Sequence, residues 1–392
     1  MVTYYALIII SILIIVSYFF DWIARKTRFP SVLLLIITGG LMQLACGYLQ
    51  LALPALDAIL PTLGTIGLIL IVLEGALELQ FAPSKLPVIR KSFFAALVIL
   101  LISWAGITVL IHYISNENWR LCLLNAVPFA VISSAIAIPS VSGLTEERKE
   151  FIVYESSFSD ILGIVLFNFV LSNSEFTGTS FLHLGIDVGA VLLLAVVFSL
   201  VLLYAMGSIT HHVKFFLLIA ILVLVYAMGK IYHLSTLIIV LVFGLLVSNA
   251  SLVKNSFFRK HFLYDNLEAD LHQFFNLTAE SAFLMRTFFF VLFGFTMQPG
   301  ALLEFQPLLT GIFFFALLLA VRFLYLRFFS KRELFPAVFI MPRGLISILL
   351  FYSIPEADRI ASSGQPVLLF IVIATSVLMT AGLLQKHETA ET

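Results

Sequence analysis

The chain has 392 residues, 61% of them hydrophobic and only 11% charged, with a formal net charge of zero and a mean hydropathy of +1.10. Soluble domains carry about a quarter charged residues and under half apolar ones, so a soluble globule is excluded, and a balanced charge offers nucleic acid nothing to grip. What remains is an all-α polytopic membrane protein, because runs of about 20 apolar residues, long enough to cross a bilayer, recur along the whole length.

The first run, at 4–20, has no basic start and no small-residue cleavage site, and Arg25, Lys26 and Arg28 follow it. That pattern predicts a first helix with its N-terminus outside rather than a cleaved signal. Further spans are expected at 31–49, 58–79, 92–113, 120–141, 149–171, 183–206, 214–230, 234–249, 284–301, 307–326, 334–353 and 366–385, about 13 in all. Connections are short except 250–283, whose Lys254, Arg259 and Lys260 and interrupted apolar residues suggest an interfacial helix. Charge asymmetry supports the count. Of the 22 lysines and arginines, only Arg120, Lys230 and Arg359 fall in the loops opposite the basic ones, with Arg286, Arg322 and Arg343 in or at the edge of spans. Cys46 and Cys122, both in apolar runs, are expected to be small buried hydrophobes rather than a disulfide or metal ligands.

A faint repeat relates the two halves. Ser31 and Gly40 in the second span match Ser235 and Gly244 in the ninth at one constant offset, so equivalent spans lie seven apart and the halves have opposite orientation. The predicted organisation is a first repeat over about 1–171, a linking helix at 183–206, a second repeat over about 214–385 and a short cytoplasmic tail at 386–392. Inverted repeats of this kind place a site at the midplane, where helices unwind. The fifth span carries Pro128 and Pro139 around Ser133 and Ser134; its equivalent, the twelfth, carries Pro336, Pro342, Gly344 and Pro355. Each proline removes a backbone donor and clashes with the preceding turn, and in a membrane the freed groups are tolerated only inside protein or beside water. Two crossed broken helices are therefore expected.

Ionisable residues at mid-bilayer are candidates for function by default. The sixth span contains Glu155, Ser156, Ser159 and Asp160. Ser156 shares a helix face with Asp160, and Glu155 with Ser159. Asp160 lies about a half-bilayer's rise beyond Lys149. A carboxylate there can hold a proton or a cation but is costly to leave empty, and one group that binds either but never both is all that coupled exchange requires. Arg343, in the broken twelfth span, needs a carboxylate, Glu155 or Asp160; Glu155 is favoured, leaving Asp160 free. Glu74, Glu78, Arg286 and Arg322 lie nearer span ends, where snorkelling or a local pair is expected. His211 and His212 are expected in a solvated cytoplasmic turn.

At these residues the sequence resembles the sodium/proton exchanger, or cation:proton antiporter, superfamily. ESSFSD (155–160) is similar to its sixth-helix signature, with Asp160 at the place of the ion-binding Asp and Ser159 where Asn or a first Asp is usual. PRGL (342–345) resembles the Arg-Gly motif of the unwound late helix, whose Arg pairs with the Glu that Glu155 matches. LEGALEL (73–79) and FFFVLFGFTMQPGAL (288–302) resemble its third and tenth helices. The resemblance implies a sodium/proton antiporter fold, a dimerisation scaffold beside a moving six-helix core, and a homodimer. It also implies a secondary antiporter exchanging Na+ or K+ for H+. Ser133-Ser134 stand where many members carry Thr-Asp, closer to the potassium-efflux relatives, so the cation is left as Na+ or K+. With no second carboxylate beside Asp160, exchange is expected to be one for one and electroneutral. Asp160 would carry the transported cation or the proton, Ser133, Ser134, Ser156 and Ser159 would complete its oxygen shell, and Glu155 with Arg343 would form a structural ion pair. Beyond the transported ions no cofactor is expected. The expected partners are the lipid bilayer, monovalent cations and a second copy, and the expected location is a bacterial inner membrane with the C-terminus cytoplasmic. A channel-like pore and a transport-inactive sensor of the same fold are the alternatives. No nucleophile–base pair, metal-ligand cluster or phosphate loop is present in the sequence, so no enzyme is expected.

Overall fold

The structure, a computed structural model, describes residues 2–27, 29–48, 59–79, 83–141, 143–173, 178–209, 214–231, 236–253, 255–297, 300, 304–330 and 335–388. The predicted turn at His211 and His212, the repeat residue Ser235, the basic Lys254 and the last residues of the tail lie outside them. Among the described residues every regular element is helical. In chain order these are α1 (Val2–Thr27), α2 (Ser31–Tyr48), α3 (Ile59–Glu78), α4 (Leu86–Ser115), α5 (Trp119–Ala130), α6 (Ser134–Ser140), α7 (Glu146–Ser172), α8 (Gly178–Ser208), α9 (Lys214–Ile231), α10 (Leu237–Ser248), α11 (Ser256–Phe262), α12 (Leu267–Thr296), α13 (Phe305–Tyr325), α14 (Leu345–Ser353) and α15 (Gln365–Glu388).

Nine of the described helices are long and apolar enough to cross a membrane. The expected count of about 13 also includes α3, α7 with its charged first turns, the 12-residue α10 and the broken segment ending in α14. The outward faces are oily: α1 exposes Leu7, Ile8, Ile12 and Ile15, and α8 exposes Leu193 and Val201. In water such faces would be a liability; against lipid tails they are the matching surface.

The structure corrects one boundary. Span 284–301 belongs to a 30-residue helix, α12, that begins at Leu267, so most of the expected connection at 250–283 is helix. Glu268 and Asp270 in the first turn complement the positive end of the helix dipole, and Phe274 and Thr278 are buried, giving those polar turns something to pack.

The chain divides into two compact units. One comprises residues 1–64, 88–163 and 284–392, the other 65–87 and 164–283, so each draws on both predicted repeats. In the first unit α2 and the second half of α12 touch backbone to backbone. A Cβ on Gly39 would lie 2.0 Å from the Val291 carbonyl oxygen, and one on Gly294 would lie 2.1 Å from that of Ile36. Close approach through small residues is how helices associate where lipid removes the hydrophobic drive. Beside it Ser17 of α1 and Thr287 of α12 share a buried hydroxyl hydrogen bond of 2.6 Å.

In the second unit Val191 and Ala195 of α8 pack on Ile238 and Ile239 of α10. The end of α10 caps that of α3: Ser248 Oγ donates to the carbonyls of Ala76 and Leu79 at 3.3 and 3.2 Å, and Asn249 Nδ2 donates to Leu79 at 2.9 Å. Lys214 of α9 reaches Asp270 of α12 at 2.5 Å, and the Tyr264 hydroxyl donates to the same carboxylate oxygen at 2.7 Å. Burial and the Asp270 carboxylate beside it push the Tyr264 phenol above its ordinary range.

Candidate cation site

Both predicted breaks form, and they meet. The fifth span is split into α5 and α6 by an extended segment at 131–133, and the twelfth unwinds from 340 to 344 before α14 begins. The Ser133 N–H, orphaned by the first break, donates to the Pro342 carbonyl in the second at 2.9 Å. Pro342 has no N–H of its own, so the bond runs one way. Gly344 makes the crossing possible, since a Cβ there would lie 2.6 Å from Ile136 Cδ1 and 3.0 Å from Ser133 Oγ.

An unwound helix leaves donors on one side of the break and acceptors on the other, and charged side chains collect on each. On the donor side stands α7. The Ile132 N–H donates to Ser159 Oγ at 2.9 Å. The Ser134 N–H donates to Asp160 Oδ2 at 3.2 Å, and the Ser134 hydroxyl donates to the same oxygen. Two consecutive α7 residues thus hold the break open, and the carboxylate faces the positive end of α6. Gly163, one turn on from Ser159, lets α7 approach this closely: a Cβ there would meet Val131 Cγ2 at 2.3 Å. Asp160 is 2% exposed. Its second oxygen, Oδ1, has no partner among the described residues, and neither has the fully buried Ser133 hydroxyl.

On the acceptor side stands Arg343. Its Nε donates to the Phe129 carbonyl at 3.0 Å and its Nη2 to that of Ala130 at 3.1 Å, the last carbonyls of α5. Its Nη1 donates to Met341 at 2.6 Å, and its backbone N–H is held by Thr375 Oγ1 at 3.0 Å. The guanidinium therefore neutralises the negative end of α5 and ties it to the second break.

This corrects the expected Glu155–Arg343 pair. Glu155 is held by Arg322 of α13 in a bidentate fork, Nη1 to Oε1 at 2.9 Å and Nη2 to Oε2 at 3.0 Å. Arg322 Nε donates to the Ala337 carbonyl at 2.8 Å. Three carbonyl dipoles replace the carboxylate that a buried Arg343 was expected to require, and Glu155 is taken by the fork that matches it in geometry. Arg322 is likewise corrected: expected near a span end, snorkelling or paired locally, it is 0% exposed. Its position in the last turn of an apolar helix gave no sign of this; a charge count, with two buried guanidinia against one spare carboxylate, is the signal that could have found it.

The remaining expected residues divide. Ser133, Ser134, Ser159 and Asp160 come together at the break. Ser156 is buried, but its hydroxyl donates back to the Ile152 and Val153 carbonyls of its own helix at 2.8 and 3.2 Å, so its donor is used away from Asp160. Ser347 of α14, which no sequence pattern singles out, is buried with a hydroxyl that has no partner among the described residues. Cys122 is buried, Cys46 half-buried, and both are free.

The arrangement is an anionic site whose oxygens suit a proton or a small cation chemically. It offers one carboxylate oxygen without a protein partner and a buried hydroxyl beside the crossing, and no basic side chain bonds to Asp160 among the described residues. Such a site binds a proton or a hard monovalent ion through oxygen.

Comparison with known proteins gives the family and the fold. The family profile of the transmembrane sodium/hydrogen exchangers matches residues 9–386. The structure is similar to that of the sodium proton antiporter MjNhaP1 from Methanocaldococcus jannaschii at pH 8, with a TM-score of 0.71, 20% identity, and 97% of this chain and 100% of that chain covered. It is also similar to the same antiporter's electron-microscopy structure, with a TM-score of 0.68, 20% identity, and coverage of 98% and 96%. No curated protein sequence matches the chain. The match over nearly the whole length, joined to crossed breaks around a buried aspartate, makes this chain a member of the transmembrane sodium/hydrogen exchanger family.

Proposed function

We propose that this protein is an electroneutral antiporter that exchanges one Na+ or K+ for one H+, with Asp160 carrying either ion in turn. The supporting observation is the charge balance of the first unit. Four buried charges sit around the breaks: Arg322 and Arg343 against Glu155 and Asp160. With Asp160 ionised they cancel. Adding a proton or a monovalent cation each leaves the same single positive charge, so the two loaded states cross the membrane with equal charge and neither costs more against the potential. Asp160 Oδ1 and the Ser133 hydroxyl, both without partners among the described residues, support direct ligation, and Ser134 and Ser159 orient the carboxylate and the unwound backbone.

The surrounding assignments belong to the same proposal. The protein works as a homodimer in a bacterial inner membrane, N-terminus outside and C-terminus cytoplasmic, with a six-helix core moving against a dimerisation scaffold. The inverted halves, about 1–171 and 214–385, each supply one broken helix to the crossing. No resident cofactor is needed, because the cargo ions supply all the charge. The test is proton flux in proteoliposomes driven by Na+, K+ or Li+ gradients over pH 6–9, with and without an imposed potential. Flux driven by Na+ or K+ that ignores the potential supports the reading; flux that scales with the potential overturns electroneutrality.

A further inference from the structure

Outside the cation site, the feature with the most unexplained chemistry is α11. It stands between two apolar helices, α10 and α12, in the second unit. Asn255 opens it, its side-chain oxygen accepting the Phe257 N–H at 2.9 Å. Its sequence, Ser-Phe-Phe-Arg-Lys-His-Phe, sorts by helical periodicity into two faces. Phe257, Phe258, His261 and Phe262 share one arc. Arg259, Lys260 and Ser256 share the other.

The aromatic arc is itself two-sided. Phe258 stacks on Phe262 at 5.1 Å and both are half-buried. Phe257 lies against His261 at 4.4 Å and is 67% exposed, and Leu252 just before the helix is exposed too. No residue of α11 is buried. On the polar arc neither the Arg259 guanidinium nor the Lys260 ammonium has a side-chain partner among the described residues. Asp265 and Glu268, the exposed acids that follow, pair with neither. Asp270, the next acid, is occupied by Lys214 and Tyr264.

An exposed phenylalanine beside two unpaired cations, on a helix joining two membrane crossings, fits the boundary between acyl chains and phosphates. Charge chooses the occupant. Arg259 and Lys260 complement phosphate anions, and anionic headgroups at a membrane surface are held by such residues. We infer that α11 is an anionic-phospholipid docking element: Phe257 inserts at the acyl boundary while Arg259 and Lys260 hold lipid phosphates. The inference rests on the membrane placement alone and stands or falls separately from ion exchange.

The test places a tryptophan at the tip. Full-length Phe257→Trp protein, in nanodiscs of phosphatidylcholine with a minority of phosphatidylglycerol, is compared with the parent protein, whose three tryptophans give the background. Either lipid carries bromine on its chains. Two basic side chains should enrich anionic lipid around the tryptophan by roughly tenfold or more, so brominated phosphatidylglycerol should quench the added emission at least twice as strongly as the same fraction of brominated phosphatidylcholine. With Arg259→Gln and Lys260→Gln added, the preference should vanish while quenching by either lipid persists, which shows that the helix is still folded and seated. Equal quenching by both lipids before those substitutions overturns headgroup recognition. No quenching above background overturns membrane seating. Loss of the preference on adding millimolar glycerol phosphate overturns the assignment to bilayer lipid in favour of a free phosphate.

Discussion

Replacing Arg322 by methionine leaves the Glu155 carboxylate buried and stripped of the fork that holds both its oxygens. Removing one partner of a buried ion pair costs about 3–5 kcal/mol, because the other charge stays behind uncompensated, whereas removing both can be nearly neutral. Arg322→Met alone should therefore lower the melting temperature of the detergent-solubilised protein by roughly 4–6 °C, and Glu155→Gln in the same chain should recover much of that loss. Arg343→Met should also be harmful, since it strands the Phe129, Ala130 and Met341 carbonyls, each buried acceptor costing about 1–3 kcal/mol. Its loss, however, should add to that of Glu155→Gln within about 1 kcal/mol, as for groups that share no hydrogen bond. The assay is a double-mutant cycle read by thermal unfolding for both arginines. A larger coupling of Glu155 to Arg343 than to Arg322, or a change of 1 °C or less in Arg322→Met, would refute the pairing.

Other expectations follow from the same geometry. Ser134→Ala removes one of two donors to Asp160 Oδ2 but keeps the backbone N–H; a bond to a charged group is worth about 1.5–3 kcal/mol, so half-saturation by the driving cation should rise at least about tenfold, and Ser134→Thr should restore it. Gly39→Ala places a methyl 2.0 Å from the Val291 carbonyl oxygen and should lower the melting temperature by about 1–4 °C, overpacking costing about 1–3 kcal/mol. Gly47→Ala, with open space around it, should leave that temperature unchanged. Because proton and cation compete for one carboxylate, half-saturation by the cation should climb as pH falls, approaching about tenfold per unit where the proton dominates, with maximal flux at saturating cation changing far less.

Much of the architecture was legible because the residues that carry it are chemically loud. Prolines at 128, 139, 336 and 342 announce where backbone donors are missing, and a lone aspartate among apolar residues announces a cost that something must offset. Pairing was not legible. A sequence shows that Arg343 is buried, but not that it lies across the carbonyl end of α5, where three dipoles hold it; that needs the two breaks to cross in space. Arg322 sits at the end of an apolar run and reads as a snorkelling residue until α13 is seen to turn its last turn toward α7. Ser156 illustrates a subtler limit: it does share a face with Asp160, but whether a helical serine points outward or bonds back to its own helix is decided by neighbours that periodicity cannot name. The start of span 284–301 was not legible for the same reason, since its helix runs back to Leu267 through polar turns in which Phe274 and Thr278 are buried.

The central claim is that one carboxylate carries both ions, and Asp160→Asn addresses it most directly. Asparagine keeps the shape and can still accept the Ser134 donors, but it can neither release a proton nor neutralise a cation. In proteoliposomes containing folded Asp160→Asn protein, proton flux driven by Na+ or K+ should fall to the level of protein-free vesicles. Flux at the parent rate would contradict the account.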